Sequence, residues 1–557
     1  MSFPNEPFFR RLVDLANGHS RIIISDGFSG IGITYGELLS RVLQFQQDLQ
    51  QQLPPATLDN NKVLREPLCV GILATASVEF VVALLAILSI GGIVWSTATA
   101  DSADSTVEKI AQCNAACVVF SPQQVELMWR IRQRAFYTTE KKTCTLAIRT
   151  HVGKQSSSLP FTADHPTHFL PRREAILIFT SGTTGRQKGV LHSREFFNAK
   201  VEAEPIGTDS EGLLFARMSS LVVSIRVMVR MLLRGVRIEL WPYLYDPDMI
   251  WERLRKGGIT ALDLMPNMWR NMMLAYRQRI SQLPPAEQEK YCAGARQLRD
   301  VACGGQPMLQ DVKLFWQKML NGRCVTIIYG ATEAGNILLR AVGEDSLVEG
   351  TIGKPMSGIE VKLSEDGRGE LLVKAPTLFL GYLNNPEATR SAFDQEGFFR
   401  TGDIVRYNGS EYVFEGRASC DFIATQVGRV CALKVCQALM GLSEVREGQI
   451  FGLADSKCVE HVAALVRVRA NSTLCQERAP LNLLNLRQKL ASCLLEHELP
   501  TVLRILADEE EIPHGDSGKL MYQKARERFF PPGYESQPGV EVWESNCAYS
   551  WVTTHPA

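Results

Sequence analysis

The chain has 557 residues, a length that predicts roughly two to four domains. Hydrophobic residues make up 45% and charged residues 22%, as is typical of a globular protein. The 60 Lys and Arg residues balance the 60 Asp and Glu residues, so the formal net charge is zero. This excludes attraction of nucleic acid or an anionic membrane by the net charge of the whole protein. Any phosphate binding therefore requires a local site.

The N-terminal part alternates helix-like and strand-like segments. Thr34 and Glu37 form a capping-box pattern, which predicts a helix over the apolar-periodic residues that follow. Short apolar runs at residues 69–73, 92–95 and 117–120 predict strands. This alternation predicts parallel strands with crossover helices, which is an α/β fold.

One apolar stretch, residues 80–95, resembles a membrane span. It is shorter than the about 20 residues that a span needs, and Gly91 and Gly92 break it into a helix and a strand. We therefore expect buried core and no membrane span. Residues 1–17 contain Glu6 and Asp14 and lack the basic start and apolar run of a signal peptide.

The middle of the chain begins with a polar, proline-broken segment, residues 153–173, which predicts a surface connection. A compact apolar strand is predicted at residues 174–179, and the α/β pattern resumes over residues 261–339. From Gly350 the sequence pattern changes to short strands separated by turns. Strands are predicted at residues 360–363, 369–373, 397–400 and 411–415.

The C-terminal part, after Arg417, is again mixed α/β. A strand is predicted at residues 464–469 and an amphipathic helix at residues 483–495. Residues 531–557 are interpreted as a poorly ordered tail without a function. The 14 cysteines form no C-x-x-C pair and no zinc-spaced cluster, so we expect reduced thiols and a cytoplasmic location.

The strongest signal is the run from Phe179 to Gly189, F-T-S-G-T-T-G-R-Q-K-G, directly after the strand at residues 174–179. Glycines let backbone N–H groups approach a phosphate, hydroxyls donate further hydrogen bonds, and Lys188 supplies positive charge. The spacing does not match a Walker A loop. An ordinary Gly/Ser/Thr turn is the plainer alternative, but the pattern favours a loop that binds phosphates.

This run resembles the phosphate loop of the adenylate-forming superfamily, which includes acyl-CoA synthetases, luciferases and the adenylation domains of peptide synthetases. Further segments resemble that family's motifs in the same order. They are Gly304-Gly305-Gln306-Pro307, Tyr329-Gly330-Ala331-Thr332-Glu333, Thr401-Gly402-Asp403, Gly416-Arg417 and Pro513 to Lys519. Within the family, the layout after Gly416 is most similar to malonyl-CoA-synthetase-like and 4-coumarate-ligase-like enzymes.

The resemblance implies a large N-terminal domain of α/β subdomains with a small β-rich subdomain at residues 1–417. A small mobile α+β C-terminal domain is expected at residues 418–530, and a tail at residues 531–557. The implied reaction is ATP-dependent activation of a carboxylic acid to an acyl-adenylate, with release of pyrophosphate. Transfer to coenzyme A then gives acyl-CoA and AMP. ATP, Mg²⁺ and coenzyme A are the implied cofactors, with no nucleic acid as a partner.

The resemblance also implies roles for single residues. Because a carboxylate and a triphosphate are both anions, cationic groups and a metal must screen them. Lys519 is expected to bridge the carboxylate and the α-phosphate, Thr332 to hydrogen-bond the α-phosphate, and Glu333 to bind Mg²⁺. The nucleotide is expected to be held by Thr180, Ser181, Gly182, Thr183, Thr184, Gly185, Lys188, Gly304, Gly305, Gln306, Tyr329, Gly330, Asp403 and Arg417.

Different residues of that set are expected to bind different parts of ATP. The loop at residues 180–185 and Lys188 are expected to hold the β- and γ-phosphates, and Tyr329 to lie on the adenine face. Asp403 has two carboxylate oxygens that can accept hydrogen bonds from both ribose hydroxyls. Arg417 is expected to assist at the ribose or at a phosphate.

Two regions depart from the family's pattern. After the hinge, Ala424 and Gln426-Val427 stand where the family usually has a Lys and a Gly-Gly pair, and Lys434 stands where a Glu is common. The aromatic-His-x-x-Gly run expected near residues 221–224 lacks its His. The helix that follows carries Arg226, Arg230 and Arg234 on one face. This is either a solvated basic stripe or, at Arg226, a site for a second carboxylate of a di- or tricarboxylic acid.

Three functions therefore stay open from the sequence. The first is an acyl-CoA synthetase, which is the hypothesis that the motifs favour. The second is adenylation followed by transfer to a phosphopantetheine thiol on a carrier protein, which the altered hinge region motivates. The third is a nucleotide-binding family member without turnover, against which Lys519, Glu333 and Asp403 argue.

Overall fold

The computed structural model describes residues 2–27, 30, 32–97, 102–138, 143–148, 160–180, 188–203, 222–241, 246–335, 338–418, 421–425, 428–454, 460–469, 481–513 and 520–543. The chain divides into two compact units. The larger unit comprises Met1–Thr401 and Arg406–Phe414, and the smaller unit comprises Gly402–Val405 and Glu415–Ala557. Asp403 thus groups with the smaller unit, whereas the sequence places it within the N-terminal domain.

The strands, in chain order, are β1 (Ser2–Pro4), β2 (Ile22–Asp26), β3 (Gly32–Thr34), β4 (Cys69–Leu73), β5 (Ile93–Ser96), β6 (Cys117–Phe120), β7 (Cys144–Ala147), β8 (Thr162–His165), β9 (Glu174–Thr180), β10 (Lys188–Ser193), β11 (Ile238–Leu240), β12 (Ala261–Leu264), β13 (Asp300–Gly304), β14 (Thr326–Tyr329), β15 (Leu339–Ala341), β16 (Thr351–Pro355), β17 (Glu360–Leu363), β18 (Arg368–Lys374), β19 (Gly381–Tyr382), β20 (Phe399–Tyr407), β21 (Tyr412–Arg417), β22 (Phe422–Ala424), β23 (Arg429–Cys431), β24 (Val445–Ala454), β25 (Glu460–Val468), β26 (Val502–Ile505) and β27 (Val540–Val542).

The α-helices are α1 (Pro7–Gly18), α2 (Tyr35–Gln52), α3 (Val78–Ser89), α4 (Ala103–Gln112), α5 (Val125–Thr138), α6 (Glu195–Ala203), α7 (Val222–Arg234), α8 (Pro247–Arg255), α9 (Pro266–Gln278), α10 (Pro285–Arg296), α11 (Gln310–Met319), α12 (Pro386–Ser391), α13 (Ala432–Met440), α14 (Leu483–Leu490) and α15 (Tyr522–Phe529).

The larger unit is built on a seven-stranded and a nine-stranded sheet. The seven-stranded order is β19-β10-β9-β5-β4-β6-β7, and β4 pairs in parallel with both β5 and β6. The nine-stranded order is β12-β13-β14-β15-β16-β21-β20-β18-β17, in which β12, β13 and β14 are parallel. Since parallel neighbours need a crossover connection, helices separate these strands along the chain, and the expected α/β class is confirmed.

Local sequence signals account for the first helices. The Thr34 side chain accepts a hydrogen bond from the Glu37 backbone N–H at 3.2 Å, and Glu37 Oε2 accepts one from the Thr34 N–H at 2.8 Å. The predicted capping box at the start of α2 is therefore confirmed. α3 is buried along nearly its whole length and ends before Gly91, whose φ is +80°. Within the part of the chain that the structure describes, no helix is long and apolar enough to cross a membrane.

The smaller unit is centred on the four-stranded sheet β24-β25-β26-β27. Alternate residues of β24 and β25 bury opposite faces, with Ile450 and Ala464 in one core cluster and Phe451 and Ala463 in another. The predicted helix at residues 483–495 is shorter than expected, because α14 ends at Leu490.

Two sequence predictions are wrong. The segment at residues 153–173 is not a connection throughout, because β8 lies in it and pairs in parallel with β1. The tail predicted from residue 531 is ordered up to residue 543. There β27 pairs with β26, Tyr534 is buried, and the Trp543 ring lies 4.3 Å from the Arg487 guanidinium.

Candidate active site

The carboxyl ends of β13 and β14 bring two of the predicted motifs together. In this parallel pair Gly304 lies opposite Ile328, the residue before Tyr329. A Cβ atom at Gly304 would lie 2.8 Å from the Ile328 carbonyl oxygen, so a larger residue does not fit between the strands. Gly305, with φ of +87°, and Gln306 follow at the exposed edge. Ligands of open α/β sheets bind at such carboxyl ends.

A short 3-10 turn, Thr332–Ala334, follows β14 and carries the predicted catalytic pair. Its three consecutive carbonyl oxygens each have a hydrogen-bond partner, one from β10 and two from the segment at residues 377–379. His192 Nε2 lies 2.8 Å from the Thr332 oxygen, the Phe379 N–H donates to Glu333 at 2.7 Å, and Thr377 Oγ1 donates to Ala334 at 2.7 Å. Because a carbonyl oxygen only accepts, His192 carries its proton on Nε2. The turn is therefore fixed by its backbone, and its side chains remain available.

The Glu333 carboxylate is held from the side by a tyrosine. Tyr382 Oη donates to Glu333 Oε1 at 2.7 Å, and Lys188 Nζ lies 5.2 Å from the centre of the Tyr382 ring. Glu333 is half-buried and Lys188 is exposed. A carboxylate and an ammonium group of the predicted nucleotide site thus share one aromatic neighbour.

The phosphate-loop residues 181–187 lie outside the described residues, and so do residues 514–519 with Lys519. The two ends of the loop are described: Thr180 and Lys188 are paired residues of the antiparallel strands β9 and β10, and Thr180 Oγ1 donates to the Lys188 carbonyl at 3.3 Å. The loop therefore leaves and re-enters the sheet next to Tyr382.

In the smaller unit, Asp403 and Arg417 are paired. Asp403 is 5% exposed, and Arg417 Nε donates to its Oδ1 at 2.8 Å. The Arg417 N–H donates to Asp421 Oδ2 at 2.9 Å, which fixes the start of the segment that follows. The T-G-D glycine, Gly402, has φ of +72°, a conformation that favours glycine.

The arginine face of α7 is directed into the protein, so the solvated-stripe interpretation is wrong. Arg226 is 5% exposed. Arg230 and Arg234 form ion pairs with Asp300 Oδ2 at 3.3 and 3.2 Å. Asp263 of β12 faces the same arginines, and desolvation raises its pKa above the ordinary 3.8 although Arg226 and Arg230 oppose the shift.

The residues that depart from the family's hinge pattern have defined partners. The Ala424 N–H donates to Glu460 Oε2 at 2.9 Å. Lys434 Nζ donates to both carboxylate oxygens of Glu498 at 2.7 and 2.6 Å. Lys434 therefore contributes to packing within the smaller unit. Gln426 and Val427 lie outside the described residues.

The donor set at Glu333 fits Mg²⁺. The described residues contain no group of three or more His, Cys, Asp and Glu side chains that could hold a metal. Mg²⁺ is commonly bound by one or two carboxylates together with water and substrate phosphates. A half-buried carboxylate beside the phosphate-loop strand meets that requirement, whereas a protein cage does not exist among the described residues.

Sequence reasoning missed Tyr382 as a functional candidate. Tyr382 is separated from Glu333 by 49 residues, and no local sequence pattern predicts their contact. The only available signal was the position of Tyr382 shortly before the T-G-D motif.

Comparison with known proteins agrees with this geometry. The sequence model described as "AMP-binding enzyme" matches residues 14–383. The chain is 35% identical to acyl-CoA ligase oryP of Aspergillus oryzae, over 95% of this chain and 94% of the relative. It is 25% identical to human mitochondrial malonate–CoA ligase ACSF3, over 90% and 88%.

A solved structure supports the fold alone. ATP-bound MatB from Rhodopseudomonas palustris superposes with a TM-score of 0.76 at 21% identity, covering 95% of this chain and 100% of the MatB chain.

Proposed function

The chain belongs to the AMP-binding enzyme family, and on that premise we propose that it is an ATP-dependent acyl-CoA ligase. It activates a carboxylic acid to an acyl-adenylate with release of pyrophosphate. It then transfers the acyl group to coenzyme A with release of AMP. Both curated relatives described above are ligases of this kind, and the chain matches them over most of their length.

The observation that carries the proposal is the assembly around Glu333. Its backbone is fixed by His192, Thr377 and Phe379, and its carboxylate lies beside the strand that ends the phosphate loop. Mg²⁺, when bound with ATP, supplies positive charge against the triphosphate. Glu333 holds that ion, Lys188 adds charge at the β- and γ-phosphates, and Thr332 hydrogen-bonds the α-phosphate.

The rest of the nucleotide is bound at two further places. Gly304, Gly305 and Gln306 form the adenine edge, with Tyr329 and Gly330 beside them. Asp403 accepts hydrogen bonds from the ribose hydroxyls, and its pairing with Arg417 keeps the carboxylate oriented.

The domain boundary and the catalytic lysine are part of the same proposal. We place the boundary at residue 417, next to the hinge residue Gly416, with a C-terminal domain that begins at residue 418 and includes β27. Lys519 on that domain approaches the carboxylate and the α-phosphate as charge develops between them. A second arrangement of the domain then admits the thiol, as in other closure mechanisms.

An exchange assay tests the reaction. With labelled pyrophosphate and a panel of carboxylic acids, an adenylating enzyme returns label to ATP only when its acid is present. Bound ATP without exchange for any acid supports the inactive family member. When exchange occurs, free coenzyme A is added: formation of acyl-CoA and AMP supports the ligase, and transfer only to a carrier-protein thiol supports the second alternative.

The acid is proposed to carry a second carboxylate, recognised near Arg226. Asp263 and Ala302 are paired residues of the parallel strands β12 and β13, and Gly304 lies on the same face about 7 Å further along the strand. Asp263 is half-buried on this face, so its carboxylate is partly accessible.

The charge of this cluster supports the same class of acid. Among the described residues it contains Arg226, Arg230 and Arg234 together with Asp263 and Asp300. Arg binds carboxylates with good geometry, so a cluster rich in arginine suits an acid with a second carboxylate. The human relative is named a malonate–CoA ligase, and malonate is a dicarboxylate.

The compartment is proposed to be the cytoplasm, where thiols stay reduced. The cysteines within the described residues are free thiols, and half of them are buried. Fractionation of cells that produce the tagged protein tests this: the protein is expected in the cytosolic fraction, and recovery in a sealed organelle contradicts it.

A further inference from the structure

Tyr382 lies between two groups of opposite charge. Its hydroxyl donates to Glu333 Oε1 at 2.7 Å, and its ring faces the Lys188 ammonium group, whose Nζ is 5.2 Å from the ring centre. A cation at this distance is attracted by the negative face of the ring. One side chain therefore contacts both a carboxylate and an ammonium group of the proposed nucleotide site.

The sheet register accounts for this placement. β19 adds to the edge of the seven-stranded sheet, with Tyr382 opposite Val190 of β10. Lys188 and Val190 are two residues apart and so lie on the same face, which makes Lys188 the diagonal neighbour of Tyr382. The contact with Lys188 is thus fixed by strand pairing.

The Tyr382 side chain is itself held in place. Its backbone N–H donates to Thr389 Oγ1 at 2.9 Å, and its ring packs edge-on against Phe379 with centroids 4.9 Å apart. The Phe379 N–H in turn donates to the Glu333 carbonyl at 2.7 Å. The tyrosine and the glutamate are therefore positioned by the same segment.

The two charges do not neutralise each other. Among the described residues Lys188 and Glu333 form no ion pair with one another, and the Tyr382 ring occupies the space beside the ammonium group. A direct ion pair would engage both groups and leave less charge for a triphosphate and its metal. The separation keeps each charge available.

We propose that Tyr382 is a positioning residue of the nucleotide site, which orients Glu333 through its hydroxyl and keeps Lys188 apart from Glu333 through its ring. This inference rests on the proposed function, because it assigns Glu333 to Mg²⁺ and Lys188 to the phosphates. The hydrogen bond from the hydroxyl fixes the orientation of the Glu333 carboxylate, so the hydroxyl acts on metal binding. The ring acts on the phosphates through Lys188.

Two substitutions separate the two contacts. Tyr382→Phe keeps the ring and removes the hydroxyl. By calorimetry, we expect ATP binding in EDTA to stay within about twofold and MgATP binding to weaken about 10- to 100-fold, the size expected for one hydrogen bond to a charged group. The Mg²⁺ concentration for half-maximal exchange rises by a similar factor. Tyr382→Leu removes both contacts and also weakens ATP binding in EDTA.

Tyr291→Phe is the matched control, because Tyr291 also donates its hydroxyl to a glutamate, Glu252, far from the motifs. It is expected to change thermal stability without changing the Mg²⁺ dependence. A Tyr382→Phe variant that binds MgATP as the wild-type protein does overturns the inference, and so does a loss that is equal with and without Mg²⁺. Wild-type protein that binds no ATP overturns the proposed function, and the inference with it.

Discussion

The larger unit contains two groups of charged side chains that are built in opposite ways. Around Glu333 the charges are accessible, and the protein fixes the backbone and one carboxylate oxygen. Around Arg226 the charges are enclosed and surrounded by their own counter-charges, Asp263 and Asp300.

The difference has an energetic meaning. A group that is already partly in water loses little solvation when a ligand arrives, so the Glu333 group can bind a mobile ion and a triphosphate. Enclosed charges have already lost solvation on folding, so they favour a ligand whose charge complements theirs. The group around Glu333 therefore suits the binding of ATP and Mg²⁺. The group around Arg226 suits discrimination among carboxylic acids.

The largest expected effect comes from Glu333→Gln. The amide keeps an oxygen that can accept from Tyr382, so the free energy of unfolding should change by less than about 1 kcal/mol. Exchange should fall about 10²–10³-fold, because the carboxylate that holds Mg²⁺ is lost. Denaturant unfolding and the exchange assay measure the two quantities.

Glu252→Gln is the control for this change, since Glu252 also accepts from a tyrosine hydroxyl. It should leave exchange near the wild-type rate. If Glu333→Gln lost activity only in proportion to lost stability, the contrast between the two charged groups would disappear.

A smaller, selective effect is expected from Arg226→Leu. The loss of kcat/KM for malonate should exceed the loss for its methyl analogue propionate by about 10- to 100-fold, the range for a hydrogen bond to a charged group. If the protein uses another acid, the same comparison applies to that acid and its singly charged analogue. Arg234→Leu, on the same helix face but paired with Asp300, serves as the control. Equal losses for both acids would remove the second-carboxylate proposal.

The smallest effect concerns pH and stability at Asp263. Desolvation raises the folded-state pKa above the ordinary 3.8, so the folded protein holds this proton more tightly than the unfolded chain. The stability that protonated Asp263 contributes is fully present below 3.8 and is lost as pH rises through the folded-state pKa. Relative to Asp263→Asn, the wild-type protein should therefore lose stability as pH increases. A difference that is independent of pH would contradict the enclosed position of this carboxylate.

The sequence predicted the elements whose signals are local. The capping box at Thr34 and the strand at residues 360–363 depend on neighbouring residues only, and both are found as expected. The order of the motifs also identified the family before any contact was known.

Predictions failed where a distant partner decides the outcome. Residues 531–543 contain three prolines and two glycines, a composition typical of a tail, but β27 gains its partner from β26, some 35 residues earlier in chain order. In the same way, the Tyr382–Glu333 contact and the inward face of α7 depend on sheet register and helix packing, which no local pattern specifies.

The central claim is that this chain forms an acyl-adenylate, with the nucleotide held at the Glu333 group and Lys519 completing the site. Lys519→Ala tests it most directly, with exchange and ATP binding measured on the same preparation. We predict that exchange is abolished while the affinity for MgATP stays within about threefold, since the lysine acts mainly on the charge that develops during the reaction. Exchange near the wild-type rate in this variant would contradict the account.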